Sequence, residues 1–533
     1  MNRVHLAYNR GFSWEAKPEF CARGYLFDSE GNYYAPGAIA GYFEGEADFK
    51  VFRQKVISAN GRFSVIRQSG DEIWLAVDPI RIFPLFYTQA ADGWHVSDDP
   101  DYLAGLHDRP LPDKLAATEF QATGYVTGRD TLISQVKQVQ AGEIVRLKMD
   151  GIEQGFYFTW MISEERAEDY ATLREEGKKI FEEAFRRFIE SLDGRTVALP
   201  LSGGYDSRLI AAMLKRYGYE KVICFTYGRR SSPEVAVSEK VAGELGYPWL
   251  YIEYNDQLIE GFPDSAEFRE YFPYSSRLVS MFFMQEYFAV KYMKEKQLIP
   301  PDSVFVPGHS GDFLGGSQLF KHRNTKRTEA LSAVAERLFR IKYCYLQPDL
   351  KSRMMLLNRI RLSLEEKGAD DRVLAFSVHE DWDFREKLAK FNFNSVMIYD
   401  FFGYQYRLPF WDHSLLGFFR SLPLEFKLNK KLYNDILIHD YFEPLGIRFS
   451  SELQATTAQL KVYQRKGIVK RFLPRFVKRW FTTKADNLFY REITSYFIRE
   501  RKQKGIRIRI HGNSYNSLII QWYLWQIKEK YNF

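Results

Sequence analysis

Val197-Ala198-Leu199-Pro200-Leu201-Ser202-Gly203-Gly204-Tyr205-Asp206-Ser207-Arg208-Leu209-Ile210-Ala211-Ala212-Met213-Leu214 runs from an apolar stretch through paired glycines into apolar residues at helical spacing. Strand, glycine turn and helix in that order direct backbone N–H groups and a helix N-terminus at one point, an anion-binding layout. Gly203 and Gly204 carry no Cβ, so the backbone can approach phosphate oxygens closely. Ser202 and Ser207 add hydroxyl donors, and Asp206 can hold Mg2+ against phosphates. A Walker loop would end in Gly-Lys-Ser/Thr, and this stretch does not.

The segments that follow alternate between strand and helix patterns. Val222–Tyr227 reads as a strand, Pro233–Leu245 as a helix ending near Gly246, and Trp249–Tyr254 and Val304–Val306 as further strands. That alternation predicts an α/β fold with a doubly wound parallel sheet. Upstream, Glu164–Leu192 has apolar residues at helical spacing, and residues 1 to about 155 read as β-rich with hairpin turns such as Gln68-Ser69-Gly70-Asp71. Residues from about 318 onward are helical in pattern, and the basic stretch 461–510 reads as a solvated helical face. The predicted organisation is an N-terminal domain over 1–160 and a C-terminal domain over 161–533 with a helical extension.

Bulk composition agrees with two or more cores: 533 residues are 45% hydrophobic and 17% aromatic, too apolar for disorder over most of the length. A net charge of +7 is mild, which suits phosphate binding better than a nucleic-acid partner. Cys21, Cys224 and Cys344 are too few and too scattered for a disulfide framework or a zinc cluster. No stretch of about 18 apolar residues predicts a membrane span, and the first residues lack an apolar leader core. A cytoplasmic protein is expected, and the sequence leaves a homo-oligomer open.

Ser-Gly-Gly-x-Asp-Ser resembles the pyrophosphate loop of ATP pyrophosphatases, which cleave ATP to AMP and pyrophosphate. Four further landmarks make the chain, over nearly its whole length, similar to the asparagine synthetase family. Phe225-Thr226-Tyr227-Gly228 resembles the segment lying against adenosine. Pro307-Gly308-His309-Ser310-Gly311-Asp312-Phe313-Leu314-Gly315-Gly316 resembles a motif carrying the second metal aspartate. Arg407-Leu408-Pro409-Phe410-Trp411-Asp412-His413 and Leu422-Pro423-Leu424-Glu425-Phe426-Lys427-Leu428 follow in the family's order. The resemblance implies ATP contacts at Leu201, Ser202, Gly203, Gly204, Asp206, Ser207, Thr226, Tyr227, Gly228, Pro307 and Gly308, and Mg2+ on Asp206 and Asp312. It also implies a catalytic lysine at Lys431, with Lys430 an alternative, and an N-terminal Ntn-like domain with a β-sandwich, the family's glutaminase.

The chain departs from that pattern in informative places. Working glutaminases of the family use a cysteine exposed at the N-terminus, whereas position 2 is Asn2, so glutamine hydrolysis is expected to be absent. The family's glutamate before the metal aspartate is His309, a candidate general base because imidazole can accept a proton near neutrality. Ser395-Val396-Met397-Ile398-Tyr399 replaces the family's Asp-Arg-x-Ser-Met. The nucleotide side matches and the acceptor side does not. The expectation is therefore a ligase that adenylates a small-molecule or sugar-linked carboxylate other than aspartate and passes it to ammonia or an amine. Asparagine synthetase in the strict sense and an intramolecular amide former similar to β-lactam synthetases or lasso-peptide cyclases are the alternatives within the resemblance. A non-catalytic ATP-binding scaffold and RNA thiolation are the rivals from other classes.

Overall fold

The computed structural model describes residues 3–45, 48–319, 328–366, 368, 374–449, 486–508 and 515–532. The expectations for Asn2 and for most of the basic stretch 461–510 lie outside the described residues.

The N-terminal part carries β1 (Val4–His5), β2 (Glu15–Ala16), β3 (Phe20–Phe27), β4 (Tyr33–Tyr34), β5 (Asn60–Ser69), β6 (Glu72–Val77), β7 (Phe86–Ala90), β8 (Gly93–Ser97), β9 (Lys137–Gln138), β10 (Glu143–Lys148) and β11 (Gly151–Phe156). They form two sheets, ordered β1-β8-β7-β9 and β11-β10-β6-β5-β3-β2, with β4 paired to β3. Alternation along β5 and β6 decides the layering. Phe63, Val65, Trp74 and Ala76 face Ile39, Phe43, Phe52 and Val56 of two helices. Ile66, Ile73, Leu75 and Val77 face Tyr87 and Val96 of the smaller sheet. Phe86 then packs with Leu103, Ala116 and Phe120. The layers therefore run helix, sheet, sheet, helix.

The C-terminal part is built on β12 (Val197–Pro200), β13 (Val222–Gly228), β14 (Trp249–Glu253), β15 (Val304–Phe305) and β16 (Gln405–Tyr406), ordered β14-β13-β12-β15-β16. All neighbours are parallel. Val197, Ala198 and Leu199 are each 0% exposed, as continuous apolar runs require when both faces of a sheet are covered. The first long helix begins at Tyr170 rather than near Glu164, because the Asp169 side chain accepts from the Thr172 N–H and caps it there. From β12 the chain winds outward through β13 to β14, then returns to the other side for β15 and β16. The crevice beyond the carboxyl ends of β12 and β15 is the switch point where open α/β sheets bind ligands.

The two parts share one buried polar seam. Arg23 on β3 donates to Asp400 at 2.7 Å, both side chains fully buried. Asp400 also accepts from the backbone N–H of Phe12 at 3.0 Å. Among the described residues no helix is long and apolar enough to cross a membrane.

Candidate active site

Beyond β12 the chain turns through Ser202-Gly203-Gly204 and enters the helix Tyr205–Arg216. The Ser202 and Ser207 hydroxyls are 3.1 Å apart, and Gly204 N–H donates to Ser202 Oγ at 3.2 Å. Gly204 is the N-cap and contributes no side-chain bond, so the first N–H groups of a three-turn helix remain directed at the crevice. The loop after β15 is pressed against that helix start. A Cβ on Gly308 would stand 2.6 Å from the backbone nitrogen of Ser207, closer than carbon and nitrogen tolerate. Only glycine lets the two loops meet here.

That contact brings Asp206 and Asp312 together. The backbone N–H of Asp312 donates to Asp206 Oδ2 at 2.9 Å, and Tyr433 OH donates to Oδ1 at 2.9 Å. Burial, then the charge of Asp312, pushes the Asp206 carboxyl up to about 7. Two adjacent carboxylates that repel each other fit a bound cation. Mg2+ typically takes one or two carboxylates and leaves its other positions to phosphate oxygens and water. Asp206 and Asp312 are the residues that would hold it.

The lysine pair is divided by geometry. Lys430 Nζ lies 3.6 Å from Asp312 Oδ2. Lys431, the residue expected here, instead places its Nζ 4.5 Å from the Tyr170 ring centre, over Phe426 as well. Asn429 and Lys430 both have left-handed backbone, at φ 61 and 58, a conformation that side-chain-bearing residues adopt at a cost. It turns Lys430 inward. Gly315 makes room for it, since a Cβ there would meet Tyr433 Cβ at 2.7 Å and Lys430 Cβ at 3.2 Å.

Thr226 at the end of β13 turns its hydroxyl inward, donating to Leu201 O at 2.7 Å and accepting from Trp249 Nε1 at 3.1 Å. It positions the glycine loop through that bond. Tyr227 also points into the fold, donating to Glu286 Oε1 at 3.0 Å. Gly228 has φ 115 and lets Asn487 O approach to 2.5 Å of where a Cβ would be. Pro307 is buried behind Gly308.

His309 faces the crevice, with Nδ1 3.4 Å from Ser395 Oγ and Nε2 4.0 Å from Glu286 Oε1. Burial holds its imidazole at about 4, so it is neutral at pH 7. Glu286 and Tyr433 were not singled out from the sequence: neither lies in a motif, and their only signal is position after folding. Tyr399 closes the stretch Ser395–Tyr399 that departs from the family pattern, but its bond to Glu286 was not foreseen. Arg407 and Asp412 were legible as a motif but serve the seam between the two parts. Arg407 stands 4.2 Å from the Tyr25 ring centre, and Asp412 is held by Arg187 at 2.8 Å and by Asn60 at 2.9 Å. Trp411 Nε1 donates to His309 O at 3.3 Å, so this segment backs the histidine loop. Cys21 sits inside β3 opposite Ile66 and burial raises its thiol, while burial pushes Cys224 up to about 12.

The asparagine synthase family model matches residues 178–437. "Asparagine synthetase [glutamine-hydrolyzing]" of Gallus gallus is 24% identical over 282 residues, 52% of this chain and 40% of that protein. The chain thus spans less than half the length of that relative. Among solved structures, an NH3-dependent NAD synthetase of Campylobacter jejuni is 15% identical at TM-score 0.19, covering 38% of this chain and 97% of that one. Glutamine phosphoribosylpyrophosphate amidotransferase of B. subtilis is 11% identical at TM-score 0.19, covering 44% and 71%. These two likenesses are too faint to bear on fold or function. The glycine loop, its facing aspartates and the lysine turn all fall within residues 178–437, and through that segment the chain is similar to the asparagine synthase family.

Proposed function

We propose that this chain is an ATP-dependent amide-forming ligase that adenylates a carboxylate and transfers the acyl group to ammonia or a small amine. One observation carries the reading: the glycine loop, Asp206, Asp312 and Lys430 converge at the sheet's switch point. In the first step a substrate carboxylate oxygen attacks the α-phosphorus of ATP and pyrophosphate leaves. The N–H groups of the loop and helix start, with the Ser202 and Ser207 hydroxyls, orient the departing phosphates. Mg2+ on Asp206 and Asp312 would neutralise charge on the pyrophosphate. Lys430, rather than Lys431, is proposed to stabilise the acyl-adenylate. His309, neutral at pH 7, can accept a proton from the amine.

The N-terminal part is proposed as an Ntn-like domain that has lost glutaminase activity. Cys21 is held in a strand opposite Ile66 and cannot supply an α-amino group. Three cysteines scattered along the sequence suit a reducing compartment, and the cytoplasm is the proposed location. The carboxylate is proposed to be sugar-linked or otherwise distinct from aspartate, because the acceptor side departs from the family pattern at His309 and around Ser395.

The test is pyrophosphate release from Mg·ATP across aspartate, uronic-acid sugar nucleotides and amino-acid-derived diacids, with ammonium and then with glutamine. Release with ammonium alone is expected. Glutamate formed from glutamine in step with pyrophosphate would overturn the glutaminase reading, and release that survives Asp206→Ala would overturn the site.

A further inference from the structure

Glu286 is a carboxylate that the phosphate machinery does not use. It stands immediately before the helix Tyr287–Glu295, and its side chain is 9% exposed. It accepts from the hydroxyls of Tyr227 and Tyr399. Among the described residues no lysine or arginine pairs with it. The titratable groups facing it are Tyr227 from β13, Tyr254 from beyond β14, Tyr399 from the helix Met397–Phe401 and His309 from the loop after β15, with Tyr271 of the helix Ala266–Ser276 and Tyr490 of the helix Tyr490–Gln503 further off. A buried carboxylate without a cation of its own is costly, and a ligand that brings positive charge relieves that cost.

The way to it passes His309, whose side chain is 26% exposed and whose Nε2 is 4.0 Å from Glu286 Oε1. That separation is too long for a hydrogen bond. One nitrogen lying about 2.8–3.0 Å from each atom would bridge them, because the N–H bonds of an ammonium group diverge. Stacked rings wall the spot: Tyr227 with Tyr254 at 5.5 Å and Phe305 with Tyr399 at 4.5 Å. Aromatic faces beside a carboxylate favour a small cation.

We propose that Glu286 and His309 together form the docking site of the attacking amine, which arrives as an ammonium-type cation and gives up its two surplus protons there. The proposal rests on the ligase reading. Ammonium must lose one proton before its nitrogen can attack and a second after. Glu286 carboxylate takes the first and frees the lone pair. The nitrogen then bonds to the acyl carbon of the adenylate, and the carbon–oxygen bond to AMP breaks as AMP leaves with that electron pair. The neutral His309 imidazole takes the second proton. The products are one amide, AMP and two protons held by two bases, which return them to solvent.

Two half-reactions separate this proposal from the reading beneath it. Carboxylate-dependent ATP–pyrophosphate exchange reports adenylation, and amide formation reports amine attack. The expected result for Glu286→Gln is that ammonium-dependent amide formation falls on the order of 10²-fold more than exchange does. Hydroxylamine, a far weaker base than ammonia and already neutral at pH 7, is expected to restore product formation in the variant. Tyr399→Phe removes a bond that holds the carboxylate ionised. It is expected to move the alkaline rise of amide formation to higher pH, with folding checked by thermal melting. Equal loss of the ammonium and hydroxylamine reactions, or no loss of either, would overturn the proposal. A wild-type protein without carboxylate-dependent exchange would overturn the ligase reading, and this inference with it.

Discussion

Lys430 and Lys431 are adjacent, alike in charge and indistinguishable by pattern, yet only one reaches the carboxylates. The difference is two left-handed residues, Asn429 and Lys430, which turn the chain so that Lys430 meets Asp312 while Lys431 lies over Tyr170. Lys430→Ala is expected to lower pyrophosphate release roughly 10²-fold, as loss of one charge-stabilising group does. Lys431→Ala is expected to change it only a few-fold, and the same steady-state assay on both variants checks the pair. A reversed ranking would return the role to Lys431. The glycines, serines and aspartates of the site were legible because each is a residue type that phosphate or metal contact demands. Glu286 was not, because a glutamate between Gln285 and Tyr287 looks like any surface acid until folding buries it against Tyr227 and Tyr399.

The elements around the crevice are set by close backbone approach. Gly308 meets Ser207, Gly311 lies under the Phe410 ring and Gly315 meets Tyr433. Gly308→Ala would force the loop after β15 away from the glycine loop and separate Asp312 from Asp206. The expected outcome is a roughly 10²-fold loss of pyrophosphate release, the scale of a misplacement of about 1 Å. The thermal stabilisation by Mg·ATP should fall with it, as differential scanning would show. Pyrophosphate release and stabilisation that both stay intact would mean that the two loops part without consequence. A different lesson comes from the segment Ala375–Asn392, which packs through a π-helical stretch, Asp383–Asn392, toward the site. Its sequence is dense in charge, yet Glu380, Asp381, Asp383, Arg385, Glu386 and Lys390 are all buried. Each finds an opposite charge: Glu380 with Lys427, Asp381 with Arg385, Asp383 with Lys342 and Glu386 with Lys390. Half of those partners lie more than 40 residues away, beyond the reach of periodicity.

At the scale of the whole molecule the two parts are joined by a fully buried ion pair, Arg23 with Asp400. Asp400→Asn would leave Arg23 buried with its closest partner weakened, a loss expected to cost about 3–5 kcal/mol in urea unfolding. A cost below about 1 kcal/mol would show the seam to be incidental. Asp412 gives the seam a pH dependence. Burial alone would raise its carboxyl, but Arg187, Ser414 and Asn60 outweigh burial and hold it at about 2. Its folded value lies below its unfolded one, so its stabilisation is complete above pH about 4 and disappears as pH falls toward about 2. Roughly 2 kcal/mol is at stake. Asp412→Asn should therefore narrow the difference between urea midpoints measured at pH 7 and pH 3, and an unchanged difference would refute the assignment.

Local sequence alone determined the alternation of strands and helices, the parallel sheet that alternation demands, and the glycine loop with its aspartates. Periodicity, turn chemistry and metal-ligand chemistry are properties of short stretches, and those stretches carried them. Tertiary structure alone decided which lysine faces the carboxylates, that Arg407 and Asp412 serve the seam, and that Glu286 meets His309. These depend on the angle at which β12 and β15 present their loops and on which charges lose water together. Both are set by the packing of segments distant in the chain.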